Sequence, residues 1–160
     1  MGASRWRLAS VQRAFKRFTP TIVRVNLSEA RALLGETGRE RGVDSAADGA
    51  DDDRANCAAS LARKLRATVL LSGETDFISD GERAERIPGG SAMTAMVTGS
   101  GCMLSALCGA FAAVESDAFA AACMASRFWK DCAARAERTA SGPGSFRVAL
   151  IDAAYALSNN

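Results

Sequence analysis

A glycine-rich turn runs directly into an apolar helical segment at Val97-Thr98-Gly99-Ser100-Gly101-Cys102. The first N–H groups of a helix have no internal partner and lie at the positive end of its dipole, so they stabilise an anion or a developing negative charge. The backbone of Gly99, Ser100 and Gly101 is therefore predicted to form an anion hole. Cys102 would stand at the helix start, where the thiolate form of a cysteine is favoured. We expect phosphate chemistry at this turn.

Composition and charge narrow the class of protein. The 160 residues are 48% apolar and 24% charged, which predicts one globular domain with an ordinary core and excludes disorder and collagen. The net charge of +2 is too balanced to indicate nucleic acid as the main partner. The sequence has no histidine, so a histidine-ligated metal site is excluded. No apolar run approaches the roughly 20 residues that span a bilayer, and we expect a cytoplasmic protein without a membrane partner.

The five cysteines are odd in number and include no Cys-x-x-Cys pair, which favours reduced thiols in an intracellular protein. Most free cysteines behave as small buried apolar side chains, and this is our interpretation of the four that lie outside the glycine-rich turn. These four are Cys57, Cys108, Cys123 and Cys132. For Cys102 the same buried role is the alternative to a catalytic one.

Alternating strand and helix patterns predict an α/β protein around this turn. Short β-branched or apolar segments are predicted as strands at 21–25, 67–71, 77–79 and 83–87, with a hairpin turn at Asp80-Gly81. Helices are predicted at 26–34, capped by Asn26 or Ser28, and at 54–66, 101–114, 117–139 and after 145. The segment 35–54 is rich in Gly, Asp, Glu and Ser, and we predict a solvated loop there. The helix at 101–114 is almost wholly apolar, so we expect it to be buried on most of its surface.

The start of the chain is basic, since no acidic residue precedes Glu29. Such a start is typical of a transit peptide. Leu8, Val11, Phe15 and Phe18 follow helical spacing and form one apolar stripe. This stripe suits an amphipathic targeting helix and equally an ordinary helix that packs on a sheet, and periodicity alone does not choose between them.

Five short motifs in a fixed order resemble the hydroxyethylthiazole kinases, which belong to the ribokinase-like superfamily. They are Arg24-Val25-Asn26-Leu27-Ser28-Glu29, Gly42-Val43-Asp44-Ser45, Ser72-Gly73-Glu74-Thr75-Asp76, Thr98-Gly99-Ser100-Gly101-Cys102 and Gly142-Pro143-Gly144-Ser145-Phe146. The resemblance runs from Gly2 to about Leu157. It implies a three-layer ribokinase-like fold whose mostly parallel sheet is incomplete at its N-terminal side. Residues 1–160 would then be the C-terminal part of a kinase domain, without the front part that holds much of the thiazole pocket. The basic residues at the start of the chain would belong to the first turns of a helix that is typical of the family.

The resemblance also implies an activity, the ATP-dependent phosphorylation of the hydroxyl of 4-methyl-5-(2-hydroxyethyl)thiazole in thiamine biosynthesis. Cys102 would be the base that takes the hydroxyl proton, and the N–H groups of the glycine-rich turn would hold the transferred phosphoryl group. Arg24 and Ser72 would bind ATP, the arginine through its planar fork. Glu29 would help to hold Mg²⁺ through water, and a trimer with sites at its subunit boundaries is implied.

Several alternatives stay open beside this interpretation. Arg24 could instead form a surface salt bridge, and Glu29 could be a capping-box partner. Val25 stands where the family normally has glycine, which predicts altered backbone geometry beside Arg24.

The whole chain could be a non-catalytic remnant or a partner subunit that keeps the nucleotide side of the fold. A further alternative is another ribokinase-like enzyme, such as a nicotinamide-nucleotide hydrate repair enzyme, although those resemble a version of the turn with aspartate.

Overall fold

A computed structural model describes residues 5–36 and 47–159, which form two compact units. The first comprises the described residues up to Gly73 together with Phe77–Arg86, and the second comprises Glu74–Asp76 and the described residues from Ile87 onwards. The helices are α1 (Arg5–Phe15), α2 (Leu27–Leu34), α3 (Ala47–Leu65), α4 (Ser100–Ala112), α5 (Ala118–Glu137) and α6 (Pro143–Ser158), with a 3-10 helix at Ala92–Met96. The strands are β1 (Ile22–Val25), β2 (Thr68–Leu71), β3 (Asp76–Ser79) and β4 (Ala84–Ile87).

The sheet has the order β1-β2-β3-β4 and confirms the predicted α/β class. β1 and β2 are parallel, with Val23 opposite Val69 and Val25 opposite Leu71. A parallel pair needs a long crossover, and α2 and α3 lie in the chain between these two strands. Only residues 72–75 separate β2 from β3, and this pair is antiparallel. The expected parallel arrangement therefore holds for β1 and β2, and the short connection reverses the chain after them.

The predicted hairpin turn at Asp80-Gly81 is present between β3 and β4. The Asp80 side chain accepts hydrogen bonds from the amides of Glu82 and Arg83 and from the Arg83 guanidinium, at 2.7 to 3.0 Å. Burial alone would raise the pKa of the Asp80 carboxyl, but these bonds from Arg83 and Glu82 outweigh it and hold the pKa below its ordinary value. Gly81 has a φ of 102°, a left-handed conformation that glycine adopts without steric strain.

The core of the first unit is built from its sheet and the two helices of the crossover. Buried side chains of β1, α2, α3 and β2 form one apolar cluster, and Leu8 and Phe15 of α1 pack against it. Val11 and Phe18 of the same stripe are exposed. The packing of Leu8 and Phe15 favours an ordinary helix over a targeting helix at the start of the chain.

The prediction of a loop up to residue 54 is wrong from Ala47 onwards. α3 begins there and includes the acidic run Asp51-Asp52-Asp53. Two of these carboxylates form ion pairs, Asp53 with Arg31 at 2.5 Å and Asp51 with Arg86. An acidic composition therefore extends a helix here, because negative charges near a helix N-terminus are stabilised by its dipole. The motif Gly42-Val43-Asp44-Ser45 lies outside the described residues.

In the second unit, α5 packs against both α4 and α6. Small side chains, among them Ala121, Ala125 and Ala133, are buried along α5, and Phe146 and Leu150 are fully buried on α6. Small side chains at such contacts shorten the distance between helix axes. No helix among residues 5–36 and 47–159 is long and apolar enough to cross a membrane.

The expectation that the helix at 101–114 is buried on most of its surface is wrong. Of α4 only Leu104 and Cys108 are buried, and they lie one helical turn apart on one side. Ala106, Gly109 and Ala110 are exposed. The apolar composition of α4 makes burial of any of its sides favourable. How many sides are buried depends on the neighbouring elements, which composition does not show.

Candidate functional site

Arg24 and Ser72 meet at the carboxyl ends of the parallel strands β1 and β2. The Arg24 Nη1 donates a hydrogen bond to the Ser72 Oγ at 3.1 Å, and both residues are half-buried. In open α/β sheets, ligands bind just beyond the carboxyl ends of parallel strands. A guanidinium and a hydroxyl held together at this edge can offer several donors to phosphate oxygens.

The backbone carbonyl of Val25 holds Ser72 beside the end of β1. This oxygen accepts hydrogen bonds from the Ser72 amide at 2.8 Å and from the Ser72 hydroxyl at 3.2 Å. The valine itself is buried in the core. Among residues 5–36 and 47–159, Arg66 is the one non-glycine residue with a positive φ. Val25 is thus accommodated in extended backbone, without the positive φ that glycine would permit at this position.

Glu29 and Asn26 form a reciprocal capping box at the start of α2. The Asn26 Oδ1 accepts a hydrogen bond from the Glu29 amide at 2.9 Å, and the Glu29 Oε2 accepts one from the Asn26 amide at 3.0 Å. Asn26, one of the two predicted caps, is therefore the residue that caps this helix. The alternative role of Glu29 as a capping-box partner is present, and it holds a half-buried carboxylate just beyond the end of β1.

The glycine-rich turn lies in the second unit and opens α4 as predicted. Gly99 is the N-cap residue with a φ of 92°, a left-handed conformation that places other residues under strain. The amide of Met103 donates to the Gly99 carbonyl at 3.0 Å and starts the helical ladder. The Ser100 amide donates to the Val97 carbonyl at 3.2 Å, so this member of the predicted anion hole already has a partner within the turn. The amide of Gly101 follows it in the first turn of the helix, where N–H groups have no helical acceptor.

Cys102 is exposed at the start of α4. Its sulfur is therefore not the buried apolar side chain of the alternative interpretation. An accessible sulfur at the start of a helix can be reached by a substrate hydroxyl, and a general base requires such access.

The structure groups the predicted residues in two places. Arg24 and Ser72 are in direct contact in the first unit, and Glu29 follows Arg24 in the same strand-to-helix connection. The predicted anion hole and Cys102 form the start of α4 in the second unit.

The other four cysteines are buried, which confirms their prediction as core residues. Burial raises the pKa of the Cys132 thiol to about 11, with a smaller contribution from the charge of Asp131. Burial also raises the pKa of Cys57, and the charge of Glu36 adds to this effect. Both thiols therefore ionise at a higher pH than an ordinary cysteine.

Thiol labelling should separate Cys102 from the buried cysteines. With iodoacetamide at pH 8, we expect one thiol per folded chain to react quickly, because alkylation needs an accessible thiolate. Mass spectrometry should place that label on Cys102, and the Cys102→Ser variant should lose the fast phase. Rapid labelling of Cys132 in the folded chain would contradict the burial on which this expectation depends.

A buried ionic cluster in the second unit was missed by the sequence analysis. Asp76 is 1% exposed, and its carboxylate accepts a hydrogen bond from the Ser126 hydroxyl at 2.8 Å. The Lys130 Nζ lies 3.3 Å from the Asp76 Oδ1 and donates to the Glu74 carbonyl oxygen at 2.6 Å. One signal was available, since Ser126 and Lys130 are four residues apart and are the two polar side chains among the otherwise apolar buried residues of α5.

Comparison with known proteins identifies relatives of this chain. The family model described as the hydroxyethylthiazole kinase family matches residues 1–160. A hydroxyethylthiazole kinase of Leptospira biflexa is 41% identical over 157 residues, covering 98% of this chain and 58% of the relative. One of Clostridium novyi is 36% identical over 159 residues, covering 99% of this chain and 59% of the relative.

A solved structure has a similar backbone. The hydroxyethylthiazole kinase of Pyrococcus horikoshii is 32% identical and superposes with a TM-score of 0.84, covering 96% of this chain and 56% of that one. The chain thus spans less than two thirds of the length of the relatives that it matches. Because the family model matches it from the first residue to the last, the chain belongs to the hydroxyethylthiazole kinase family.

Proposed function

We propose that this chain is a cytoplasmic phosphotransferase that acts as the C-terminal part of a ribokinase-like kinase domain. Its substrates would be ATP and 4-methyl-5-(2-hydroxyethyl)thiazole, whose hydroxyl accepts the γ-phosphate in thiamine biosynthesis. The contact between Arg24 and Ser72 at the carboxyl ends of β1 and β2 carries this proposal. It supplies a fixed cation and a hydroxyl where nucleotide phosphates bind in folds of this type.

Each residue has a defined task in this reaction. The Arg24 guanidinium and the Ser72 hydroxyl hold phosphate oxygens of ATP. The turn Gly99-Ser100-Gly101 stabilises the charge of the transferred phosphoryl group through its backbone amides, mainly that of Gly101 because the Ser100 amide has a partner. Cys102 accepts the proton of the substrate hydroxyl as that oxygen forms its bond to phosphorus. The bond between the γ-phosphorus and its bridging oxygen breaks at the same time, and its electron pair leaves with ADP.

The residues present fit a magnesium ion that binds mainly through water and phosphate. Residues 5–36 and 47–159 contain no group of three or more acidic or cysteine side chains that could hold a metal ion alone. Mg²⁺ commonly keeps several waters and uses one or two carboxylates beside the substrate phosphates. The half-buried carboxylate of Glu29 would serve this purpose through water. The ion would neutralise phosphate charge when bound.

A second candidate function is a non-catalytic remnant or partner subunit that keeps the nucleotide side of the fold and binds a longer relative. Three large apolar side chains on α6 favour it, because Val148, Ile151 and Tyr155 are more than half exposed. They follow the spacing of one helix face. Exposed apolar patches of this kind mark protein interfaces. Size-exclusion chromatography with light scattering, with and without a co-expressed full-length relative, distinguishes a complex with that relative from a homo-oligomer and from a monomer.

The kinase proposal is tested by thiazole-dependent release of ADP from the purified chain. Wild type should release ADP only when both substrates and Mg²⁺ are present. The Arg24→Ala variant should raise KM for ATP by about 10-fold or more, as expected for the loss of a charged hydrogen bond to phosphate.

Arg31→Ala is a matched control, because Arg31 is another arginine of the first unit but forms an ion pair with Asp53 on the surface of α2. This control should leave KM for ATP unchanged. A folded wild-type chain that releases no ADP at saturating substrates would contradict the kinase proposal and leave the partner subunit.

A further inference from the structure

The buried cluster of Asp76 and Lys130 holds the segment that follows β2. Lys130 is 8% exposed, and its ammonium reaches two groups of that segment, the Glu74 carbonyl oxygen at 2.6 Å and the Asp76 carboxylate at 3.3 Å. Ser126 donates to the second carboxylate oxygen of Asp76 at 2.8 Å. Two residues of α5 thus fix both the backbone and a side chain of residues 74–76.

Gly90 confines the stem of the lysine. A Cβ built on Gly90 would lie 2.9 Å from the Lys130 Cδ, so the glycine backbone packs directly on the aliphatic part of the side chain. Gly90 also has a φ of 87°, which a side chain would strain. The ammonium is therefore held at its two acceptors by packing as well as by charge.

We propose that Lys130 is a positioning residue for the nucleotide-binding segment. Ser72 lies two residues before Glu74, with Gly73 alone between them, and a glycine leaves the backbone little stiffness of its own. Anchoring the Glu74 carbonyl limits the directions in which the chain can leave Ser72. This inference rests on the proposed ATP contact of Ser72, and it assigns to α5 a part in ATP binding without contact to the nucleotide.

The test compares Lys130→Met with Lys64→Met. Methionine keeps much of the stem but removes the ammonium. Lys64 is a matched control, because its ammonium also donates to backbone carbonyls, those of Leu33 and Leu34 at 3.0 and 3.1 Å. Hydrogen exchange followed by mass spectrometry reports the opening of residues 73–77, and calorimetry reports the affinity for ATP with Mg²⁺.

Lys130→Met should accelerate exchange at residues 73–77 and weaken ATP binding, each by about 10-fold, while Lys64→Met changes neither. If Lys130→Met alone does not fold, both measurements are made on the double variant Asp76→Asn/Lys130→Met. This variant removes the charge of the carboxylate together with that of the lysine, so no buried charge of the pair is left without the other. Restored ATP affinity in Lys130→Arg would further support positioning by a cation.

Two results would overturn the inference. Unchanged exchange at residues 73–77 would show that Lys130 does not hold the segment. Faster exchange with wild-type ATP affinity would show that the anchor has no effect on nucleotide binding. If wild type binds no ATP, the proposed function fails by itself. The nucleotide role of Lys130 is then overturned with it, while exchange still decides whether Lys130 anchors the segment.

Discussion

Cys102→Ala is expected to lower kcat for thiazole phosphorylation by about 10²- to 10⁴-fold, the range typical of a lost general base. KM for ATP should change little, because the proposed ATP contacts of Arg24 and Ser72 remain. The physical reason is that alanine keeps the backbone amides of the turn but leaves no group to take the hydroxyl proton. Steady-state kinetics with ADP release as readout separates kcat from KM.

Two further variants sharpen this result. Cys102→Asp should recover part of the lost rate, because a carboxylate at a helix start can also accept a proton. Cys108→Ala is the matched control, since Cys108 lies on the same helix but is buried. It should lower stability while kcat stays near that of wild type. A Cys102→Ala variant with wild-type kcat would show that the thiol is not the base.

Local sequence patterns predicted the elements well where a single segment determines the structure. The strand at Ile22–Val25, the Asn26 cap and the glycine-rich start of α4 each depend on residues within about one turn. The shared role of Arg24 and Ser72 was predicted from the family resemblance, and the parallel pairing of β1 with β2 explains their contact physically. Both residues lie at the ends of neighbouring strands that point the same way.

The failures share a different physical origin. The start of α3 at Ala47 could not be predicted from the sequence, because acidic residues are equally compatible with a loop and with a solvated helix turn. The exposure of α4 depends on what covers it rather than on its own composition. Lys130 and its acceptor Glu74 are 56 positions apart in the sequence, and the polar pair of Ser126 and Lys130 does not indicate which distant segment it contacts. Contacts between distant segments are fixed by tertiary packing, which a single sequence does not display.

Asp76→Ala is expected to destabilise the fold by about 3 to 5 kcal/mol, the usual effect of removing one partner from a buried ion pair. The lysine ammonium would lose its carboxylate, and the Ser126 hydroxyl would lose its acceptor. Such a loss is a large fraction of the roughly 5 to 15 kcal/mol that stabilises a typical domain. Urea unfolding followed by circular dichroism measures the change.

A double-mutant cycle shows whether the pairing itself is responsible. Asp76→Ala combined with Lys130→Met should be less destabilised than the sum of the single variants, because neither charge of the pair is left without the other. Asp53→Ala is the matched control, since Asp53 pairs with Arg31 on the surface, and it should cost less than about 1 kcal/mol. High salt should weaken only this surface pair. Equal losses for Asp76→Ala and Asp53→Ala would mean that burial adds nothing to the pair, and additive effects in the cycle would mean that Asp76 and Lys130 act independently.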